Sequence, residues 1–333
     1  MIPLHVHTNY SLLESTIRID ELIDFCIKNS ITSIAVTDTN AMYGLIQFAK
    51  KAAEASIHPI LGAFINEPTN KYLYAIILAK NNQGYKDLCK IITQRKLNTD
   101  FSIKHILAFN WKDLIFITPR IELLKQVNPQ NSVYAEIIPT IANKNNALKT
   151  YHFAIENKIP IVASNPVYFL QKNDCEIHKL VTAIKLNKTI KTITNDEIVD
   201  AESYFKDKSE IEKIFSKLPE AIENSHVIAA QCKVDLRLGE YKYPSYQTKQ
   251  KGNAALLLNT IAFNGLQKRY KKIKQRIKNR LEYELETISE LNFVDYFLIV
   301  WDIVQEVKKR GMMMIGRGSA ANSLVAYCLP KLT

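Results

Sequence analysis

Short apolar segments alternate with amphipathic helical segments through the first half of the chain, and this alternation limits the fold more than any other feature. The predicted strands are 2–6, 34–36, 59–61, 72–79, 114–118, 133–138 and 160–163, and the first predicted helices are 19–28 and 45–55. Strands that alternate with helices are typical of parallel strands joined by crossover helices. So many units favour a closed or nearly closed α/β barrel over an open sheet.

Length and composition indicate more than one domain and no membrane span. The 333 residues, 47% of them hydrophobic, exceed the size of one small domain. No run approaches the roughly 18 apolar residues of a membrane helix, and the start of the chain has neither a basic leader nor a signal-type apolar segment. We therefore expect a cytoplasmic protein with no membrane partner. Its five cysteines are scattered and form no CxxC pair, so we expect them to be reduced.

A glycine-rich loop lies near the end of the chain. Residues 312–315 form an apolar run that can be a strand, residues 316–319 read Gly-Arg-Gly-Ser, and residues 320–329 are a predicted helix. Glycines let main-chain N–H groups converge, Ser319 can cap the helix, and Arg317 offers a planar set of donors. The pattern predicts a phosphate-binding loop formed by Gly316, Arg317, Gly318 and Ser319. The alternative is an ordinary tight turn with a surface arginine.

The net charge of +11 is concentrated just before this glycine loop. Residues 241–281 contain eleven Lys and Arg and no Asp or Glu. Such a block is either a solvated linker or a surface that faces a polyanion, and its position favours nucleic acid. The candidate DNA-binding residues, here named the basic segment, are Lys268, Arg269, Lys271, Lys272, Lys274, Arg276, Lys278 and Arg280.

Two histidines and an aspartate form a candidate metal site in the first half. His5 and His7 are two residues apart on the first predicted strand, and Asp38 directly follows the second. At the carboxyl ends of barrel strands these side chains, with Glu14 as a further candidate, could converge on a divalent metal. A pair of histidines alone is more often structural, and the aspartate at a strand end strengthens the metal interpretation.

Consecutive blocks of the sequence resemble a known family. LHVHTNYSLLES, VTDTNAMYG and HPILGAF resemble the polymerase and histidinol phosphatase (PHP) domain, in the form found at the N-terminus of bacterial DNA polymerase III alpha subunits. The resemblance continues, in the same order, through ILAKNNQGYKDLCKI, IVASNPVYFLQKNDCEIHKLVTAI, LPEAIENSHVIAAQCKVDLRLGEY, RLEYELETISELNFVDYFLIVWDIV and IGRGSAANSLVAY. It covers essentially the whole chain. It implies a PHP-type (βα) barrel with helical elaboration over 1–238, a linker over 239–250, and an incomplete α/β palm of the nucleotidyltransferase type over 251–333.

The resemblance also implies a function. The complete family enzymes, the C-family DNA polymerases, carry out template-directed DNA synthesis in replication or translesion repair, and AANS and YCL in this chain lean toward the error-prone branch. In the family, the Gly-Ser pair and the neighbouring Arg contact the incoming triphosphate or the primer end, which implies this role for Gly316 to Ser319. The implied partners are primer-template DNA, deoxynucleoside triphosphates and, in the complete polymerase, a proofreading exonuclease subunit and a sliding clamp.

The catalytic aspartates of the family lie beyond the glycine loop by several dozen residues, whereas this sequence ends at Thr333. Those aspartates hold two Mg²⁺ ions in the complete enzyme. Asp295 and Asp302 precede the loop and do not replace them. We therefore expect no catalytic residue in this chain and no polymerase activity from it alone.

Four positions depart from the metal-binding pattern of the PHP family. Where the family has a histidine, an acidic residue and an Asp-x-His, this chain has Thr39, Phe64, Pro166 and Tyr168. None of these side chains replaces an imidazole or carboxylate as a ligand for a divalent metal. We call the remaining His5, His7, Glu14 and Asp38 the degenerate site. We expect no tightly bound metal cluster there and little phosphoesterase or proofreading activity, with room for one weakly held metal.

Two other functions compete with the polymerase fragment. A stand-alone PHP phosphoesterase would leave the basic segment and the palm segment unexplained. A non-catalytic module would bind DNA or a proofreading partner through the PHP surface.

Overall fold

The computed structural model describes residues 1–240, 243–247, 253–315, 318 and 322–329. The chain divides into two compact units, Met1–Leu238 and Gly239–Thr333.

The first unit is built on one six-stranded sheet. Its strands are β1 (Ser33–Val36), β2 (His58–Glu67), β3 (Asn70–Ala79), β4 (Leu114–Thr118), β5 (Ser132–Ile137) and β6 (Ile161–Ala163), in the spatial order of their numbering. Every residue of β4 and β6 is buried, as expected of strands covered on both faces.

The prediction that all strands are parallel is wrong. β1 and β2 are parallel, as are β4, β5 and β6, but β3 is antiparallel to both of its neighbours. The reason is local, because only Pro68 and Thr69 separate β2 from β3. A connection this short makes a hairpin, whereas a parallel crossover needs a dozen or more residues.

The N-terminal segment links the two edges of this sheet. On one side the Ala35 N–H donates to the Pro3 carbonyl at 2.9 Å, and the Thr37 N–H donates to the Val6 carbonyl at 2.8 Å. On the other side, beyond β6, the His7 N–H donates to the Val167 carbonyl and the Val167 N–H donates to the His5 carbonyl, both at 2.9 Å. The predicted strand 2–6 is reduced to a single bridge between Val6 and Val167. The segment nevertheless closes the barrel that the sequence predicted.

Helices pack against the strands of the barrel. They are α1 (Ile19–Lys28), α2 (Leu45–Glu54), α3 (Asn82–Leu97), α4 (Ile103–Ala108), α5 (Ile121–Leu124), α6 (Lys144–Glu156), α7 (Cys175–Leu186), α8 (Lys208–Ile214) and α9 (Pro219–Gln231). In α1 the buried Ile19, Leu22, Ile23 and Cys26 follow helical spacing and pack in one cluster with β1 and α2. The apolar interior is formed by β1 to β6 together with Ile228 and Ala229 of α9. The polar residues at one end of that interior form the site described below.

The described residues of the second unit form helices and contain no strand. The helices are α10 (Ala254–Arg269), α11 (Gln275–Glu290), α12 (Val294–Lys309) and α13 (Leu324–Cys328). The predicted strand at 312–315 is wrong, because Met313 and Ile315 are 96% and 83% exposed and no partner strand pairs with them in the described chain. α10 and α13 approach so closely that a Cβ at Gly265 would lie 1.6 Å from the Cys328 carbonyl oxygen. Only glycine allows this contact.

Candidate functional site

The degenerate site lies at the point where the N-terminal segment passes the ends of β1 and β6. His5, His7 and Asp38 are at most 2% exposed. Asp38 lies two residues after the end of β1, and the histidines lie on the segment that closes the barrel. The structure therefore brings together three of the four residues that the sequence selected.

Asp38 accepts three hydrogen bonds from residues of its own neighbourhood. Its Oδ1 accepts from the Thr8 N–H and the Ser11 hydroxyl, both at 2.7 Å, and its Oδ2 accepts from the Thr8 hydroxyl at 2.8 Å. Burial raises the pKa of Asp38, although the hydrogen bonds from Ser11 and Thr8 act in the opposite direction. Through these hydrogen bonds the carboxylate holds residues 8–11 against the end of β1.

The tautomer of His7 follows from the same network. Because the Ser11 hydroxyl donates to Asp38 and accepts from the Thr39 N–H at 3.0 Å, its remaining lone pair accepts from Nδ1 of His7 at 3.0 Å. The proton of His7 is thus on Nδ1, and its Nε2 is an acceptor. Burial, and secondly the nearby His5, lower the pKa of His7 well below its ordinary value, so the ring is neutral.

The acceptor on His7 is occupied by His5. The two Nε2 atoms are 3.1 Å apart, so His5 donates from Nε2 to His7. On its other side, Nδ1 of His5 is hydrogen-bonded to Oε1 of Glu136 at 2.7 Å. The two imidazoles and the acid form one buried chain of hydrogen bonds.

Glu136 is the site residue that sequence reasoning missed. It is fully buried in β5 and also accepts from the Ser164 hydroxyl at 2.7 Å and the Tyr74 hydroxyl at 3.3 Å. The sequence did contain a signal for it, because Glu136 is an acidic residue inside the predicted apolar strand 133–138. A buried carboxylate requires hydrogen-bond or charged partners, so such a residue indicates a polar site.

Glu14 is linked to the histidines through Thr39, whose hydroxyl oxygen lies 3.3 Å from Nδ1 of His7. Its carboxylate accepts from the Thr39 hydroxyl and from the Lys185 ammonium, both at 2.5 Å. Thr39, at the position where the family has a histidine, thus serves as a hydrogen-bond donor.

Aromatic rings occupy the space around the two histidines. Tyr168 stacks on His7 with ring centroids 4.1 Å apart, and Phe64 lies 5.3 Å from His7 and 5.6 Å from His5. Phe64 and Tyr168 are two of the four positions at which the family pattern is broken. At these two positions aromatic packing replaces the metal ligands of the family pattern.

These contacts do not fit a divalent metal. A metal ligand must offer a free lone pair, yet His7 Nε2 accepts from His5, His5 Nε2 carries a proton, and three donors already bind the carboxylate of Asp38. Across 1–240 and the other described ranges, no group of three or more His, Cys, Asp or Glu side chains is placed to hold a metal ion. A metal would have to displace protons and break this network.

The basic segment begins at the end of α10 and continues along the start of α11. Three of its members are engaged within the unit: Arg269 lies over the Tyr327 ring at 4.4 Å, Arg280 pairs with Glu284 at 2.6 Å, and Lys278 lies 3.7 Å from Glu282. The other five are exposed and have no ion-pair or hydrogen-bond partner among the described residues; these are Lys268, Lys271, Lys272, Lys274 and Arg276. The structure thus separates five available cations from three engaged ones.

Three residues of the glycine loop, Gly316, Arg317 and Ser319, lie outside the described residues. Gly318 is described and has φ +81°, a conformation that favours glycine. The following helix begins later than predicted, at Leu324, and Ser323 caps it by accepting from the Ala326 N–H at 3.2 Å. The predicted cap at Ser319 is therefore replaced by Ser323.

A protein carboxylate already occupies the start of α13. Glu284 of α11 is 8% exposed, and its Oε2 accepts from the Ser323 hydroxyl at 2.9 Å and the Val325 N–H at 3.1 Å. Burial alone would raise the pKa of Glu284, but the hydrogen bonds from Val325, Arg280 and Ser323 outweigh it and lower the pKa. These N–H groups are consequently not available to a nucleotide phosphate.

Comparisons with known proteins match both units. Residues 3–156 match the PHP domain, and residues 256–331 match the bacterial DNA polymerase III alpha NTPase domain. The chain is 31% identical to the DNA polymerase III subunit alpha of Bacillus subtilis and 29% identical to the error-prone DNA polymerase of Symbiobacterium thermophilum. It is also 31% identical to the DNA polymerase III subunit alpha of Buchnera aphidicola from Acyrthosiphon pisum. These alignments cover 98% of this chain and 32%, 34% and 32% of the relatives, respectively.

The fold and these matches define a PHP-domain protein that continues into a polymerase segment. Over 98% of its length the chain is similar to bacterial DNA polymerase III alpha subunits, which confirms the resemblance seen in the sequence. It spans about a third of the length of the curated relatives it matches. The relative named DNA polymerase III subunit alpha and the one named error-prone DNA polymerase match at nearly the same identity, so the leaning toward the error-prone branch stays a prediction.

Among the described residues, no helix is long and apolar enough to cross a membrane.

Proposed function

We propose that this chain is the N-terminal part of a DNA polymerase that carries out template-directed synthesis in replication or translesion repair. The observation that carries the proposal is the order of the two matches, PHP domain first and polymerase segment second, along a chain that aligns over 98% of its length. The proposed division is a PHP domain over 1–238, a linker over 239–250 and the start of the palm over 251–333. The proposed location is the cytoplasm.

The basic segment is the proposed contact with the DNA backbone. Five exposed cations without a protein partner are clustered between the end of α10 and the first turn of α11. Lysine and arginine in this arrangement bind phosphates without reading sequence, because phosphate contacts position a protein on DNA and base contacts specify the site. Arg269, Lys278 and Arg280 contribute less, since their charges are already engaged within the unit.

The glycine loop is the proposed contact with the nucleotide triphosphate. Gly316, Arg317, Gly318 and Ser319 would supply main-chain N–H groups, a guanidinium and a hydroxyl. In the complete polymerase, Mg²⁺ held by downstream aspartates would neutralise part of the triphosphate charge. This chain alone should therefore bind nucleotide weakly, with a dissociation constant of about 1 mM.

The PHP unit is proposed to be structural rather than catalytic. The hydrogen bonds among His5, His7 and Glu136, and those on Asp38, use the atoms that a metal would need. This argues against a stand-alone phosphoesterase. A non-catalytic module that binds DNA or a proofreading partner through the PHP surface remains the second candidate, and the same network of hydrogen bonds supports it.

Primer extension and DNA binding test the proposal together. We expect the purified chain to bind primer-template DNA and to extend no primer with any deoxynucleotide or divalent metal. Extension by this chain alone would contradict the proposal, because it would require catalytic carboxylates that the sequence does not place. If the chain bound no DNA at low salt, its proposed contact with the template would be wrong.

A further inference from the structure

An open groove of about 320 Å³ lies on the surface of the second unit. One face of α11 forms a wall of this groove, and Phe297 of α12 and the residues just before α13 complete it. The volume is at the lower end of the range for small-molecule pockets, roughly 300 to 1,000 Å³. We call it the α11 groove.

Tyr283 presents an exposed aromatic ring at the α11 groove. The residue is 62% exposed, and the Arg280 guanidinium lies 6.0 Å from its ring centre. A planar base stacks on an aromatic ring of this kind, and a neighbouring arginine adds a cation–π contribution. The groove therefore offers a stacking surface to a base.

The rest of the groove combines apolar surface with a free amide. Ile288 is 8% exposed and Phe297 is half-buried, so both present part of their apolar surface to the groove. Asn322 is exposed, and its side-chain amide has no hydrogen-bond partner among the described residues. Because an amide both donates and accepts, Asn322 can hydrogen-bond the edge of a base.

The carboxylate of Glu284 at this groove is already engaged. Its Oε1 accepts from Nε of Arg280 at 2.6 Å, and its Oε2 accepts from the Ser323 hydroxyl and the Val325 N–H. The charge of Arg280 offsets that of the carboxylate. The groove therefore does not need a cationic ligand, and a neutral base can lie in it.

The α11 groove continues from the basic segment along the same helix. Four residues follow one side of α11, because they are spaced by three or four positions: Arg276, Arg280, Tyr283 and Thr287. Arg276 is one of the five available cations, and at about 1.5 Å of rise per residue it lies about 10 Å along the helix axis from Tyr283. A strand whose phosphates contact the start of α11 therefore passes the exposed ring.

Only an unpaired base can use this ring. In a duplex each base is paired and stacked between its neighbours, so it must leave the stack before it can contact an aromatic side chain. Bases of a single strand are free to stack on the protein, and proteins that bind single strands combine cations along the backbone with aromatic rings.

We propose that the α11 groove binds a base of single-stranded DNA, stacked on Tyr283, while the basic segment contacts the flanking phosphates. The stacking is tolerant of sequence, because every base has a flat π-face. The inference rests on the proposed contact of the basic segment with DNA. It also goes beyond that contact, since phosphate binding alone needs no base.

Two single-stranded oligomers of equal charge separate base binding from phosphate binding. One is an oligothymidylate and the other carries abasic deoxyribose units throughout, each of about 12 nucleotides. Fluorescence anisotropy of labelled oligomers at low salt measures their affinities for the full chain. We expect the oligothymidylate to bind at least about 5-fold more tightly than the abasic oligomer.

Substitutions at Tyr283 then locate the base. Tyr283→Ala should bring the affinity for oligothymidylate down to that for the abasic oligomer, whereas Tyr283→Phe keeps the ring and should keep the preference. Binding of the abasic oligomer and of a duplex should not change in either variant, which also shows that the variants are folded. Tyr43→Ala is the matched control, because it removes a ring of the first unit that is 61% exposed, and it should keep the preference.

The outcomes distinguish this inference from the proposed phosphate contact. Equal affinities of the two oligomers for the wild type, or a preference that survives Tyr283→Ala, would overturn the inference and leave the phosphate contact intact. If replacing Lys271, Lys272 and Lys274 with glutamine changed neither affinity while the preference still depended on Tyr283, the phosphate contact would be wrong instead. Absence of binding to either oligomer at low salt would contradict both.

Discussion

The ring of Tyr168 lies stacked on the imidazole of His7, with centroids 4.1 Å apart and an interplanar angle of 16°. Tyr168 stands where the PHP family pattern has the histidine of an Asp-x-His. The contact therefore places an aromatic ring, rather than a metal ligand, against one of the two remaining histidines. We therefore expect the stability of the first unit to depend on the stacked ring of Tyr168.

Tyr168→Ala should destabilise the first unit by about 2 to 3 kcal/mol, since it removes a large ring from between His7 and its neighbours. Urea unfolding monitored by circular dichroism measures the change. Tyr43→Ala removes a ring that is 61% exposed and should cost no more than about 0.5 kcal/mol. Equal losses in the two variants would show that the stacked contact does not stabilise the unit.

Hydrolysis of phosphomonoesters or of DNA 3′ ends should not rise when Mn²⁺ or Zn²⁺ is added. The reason is that His5, His7 and Asp38 already use their lone pairs or protons in hydrogen bonds with one another and with Ser11, Thr8 and Glu136. The measurement is hydrolysis of p-nitrophenyl phosphate and of a labelled primer across a metal series. Metal-stimulated activity that disappears in His7→Ala would contradict this expectation.

Binding to duplex DNA should weaken steeply with salt. If the five available cations of the basic segment each contact a phosphate, log affinity should fall against log salt with a slope of about −4.5. Replacing Lys271, Lys272 and Lys274 with glutamine should flatten the slope to about −1.8, since each lost contact removes about 0.9. Fluorescence anisotropy with labelled duplex measures both slopes.

The control for this experiment removes the same charge from another surface. Lys144, Lys149 and Lys217 are exposed residues of the first unit, and replacing all three with glutamine lowers the net charge equally. That variant should keep the original slope. If both triple variants changed the slope by the same amount, net charge rather than the basic segment would govern binding.

Glu284→Gln should destabilise the second unit by about 1 to 3 kcal/mol at pH 7, because the carboxylate accepts from Ser323, Val325 and Arg280. The pKa of Glu284 is lowered on folding, so its stabilising effect is present above the ordinary carboxyl pKa and is lost as pH falls through the lowered value. The difference between the wild type and the variant should therefore shrink in acid.

Urea unfolding between pH 7 and about pH 3 measures this difference, since that interval spans the ordinary glutamate pKa. Glu282→Gln is the control, because Glu282 lies on the surface of the same helix, 3.7 Å from Lys278, with its side chain 49% exposed. It should change stability by no more than about 0.5 kcal/mol. If the difference in unfolding free energy between the wild type and Glu284→Gln did not vary with pH, the negative charge of Glu284 would not be what stabilises the unit.

Local pattern was enough to predict many of the elements. The strand 114–118 and the helix 19–28 were predicted with the bounds that the structure has. Each is defined by neighbours in sequence: a short apolar run is buried in one case, and apolar residues repeat at helical spacing in the other. The resemblance that assigned the family also depends on sequence alone. The sequence also predicted the loss of metal ligands at the degenerate site, because Thr39, Phe64, Pro166 and Tyr168 cannot act as the expected ligands.

What only the tertiary structure decided depends on residues far apart in the chain. The direction of β3, the pairing of Glu136 with His5 across 131 positions, and the carboxylate of Glu284 at the start of α13 involve partners that no local period reveals. Hydrogen bonds of this kind are fixed when the barrel closes and the helices pack, since burial then forces each polar atom to find a partner nearby. The sequence alone thus determined the family and the loss of its metal ligands, and the fold determined which side chains took over the positions of those ligands and which cations remained available.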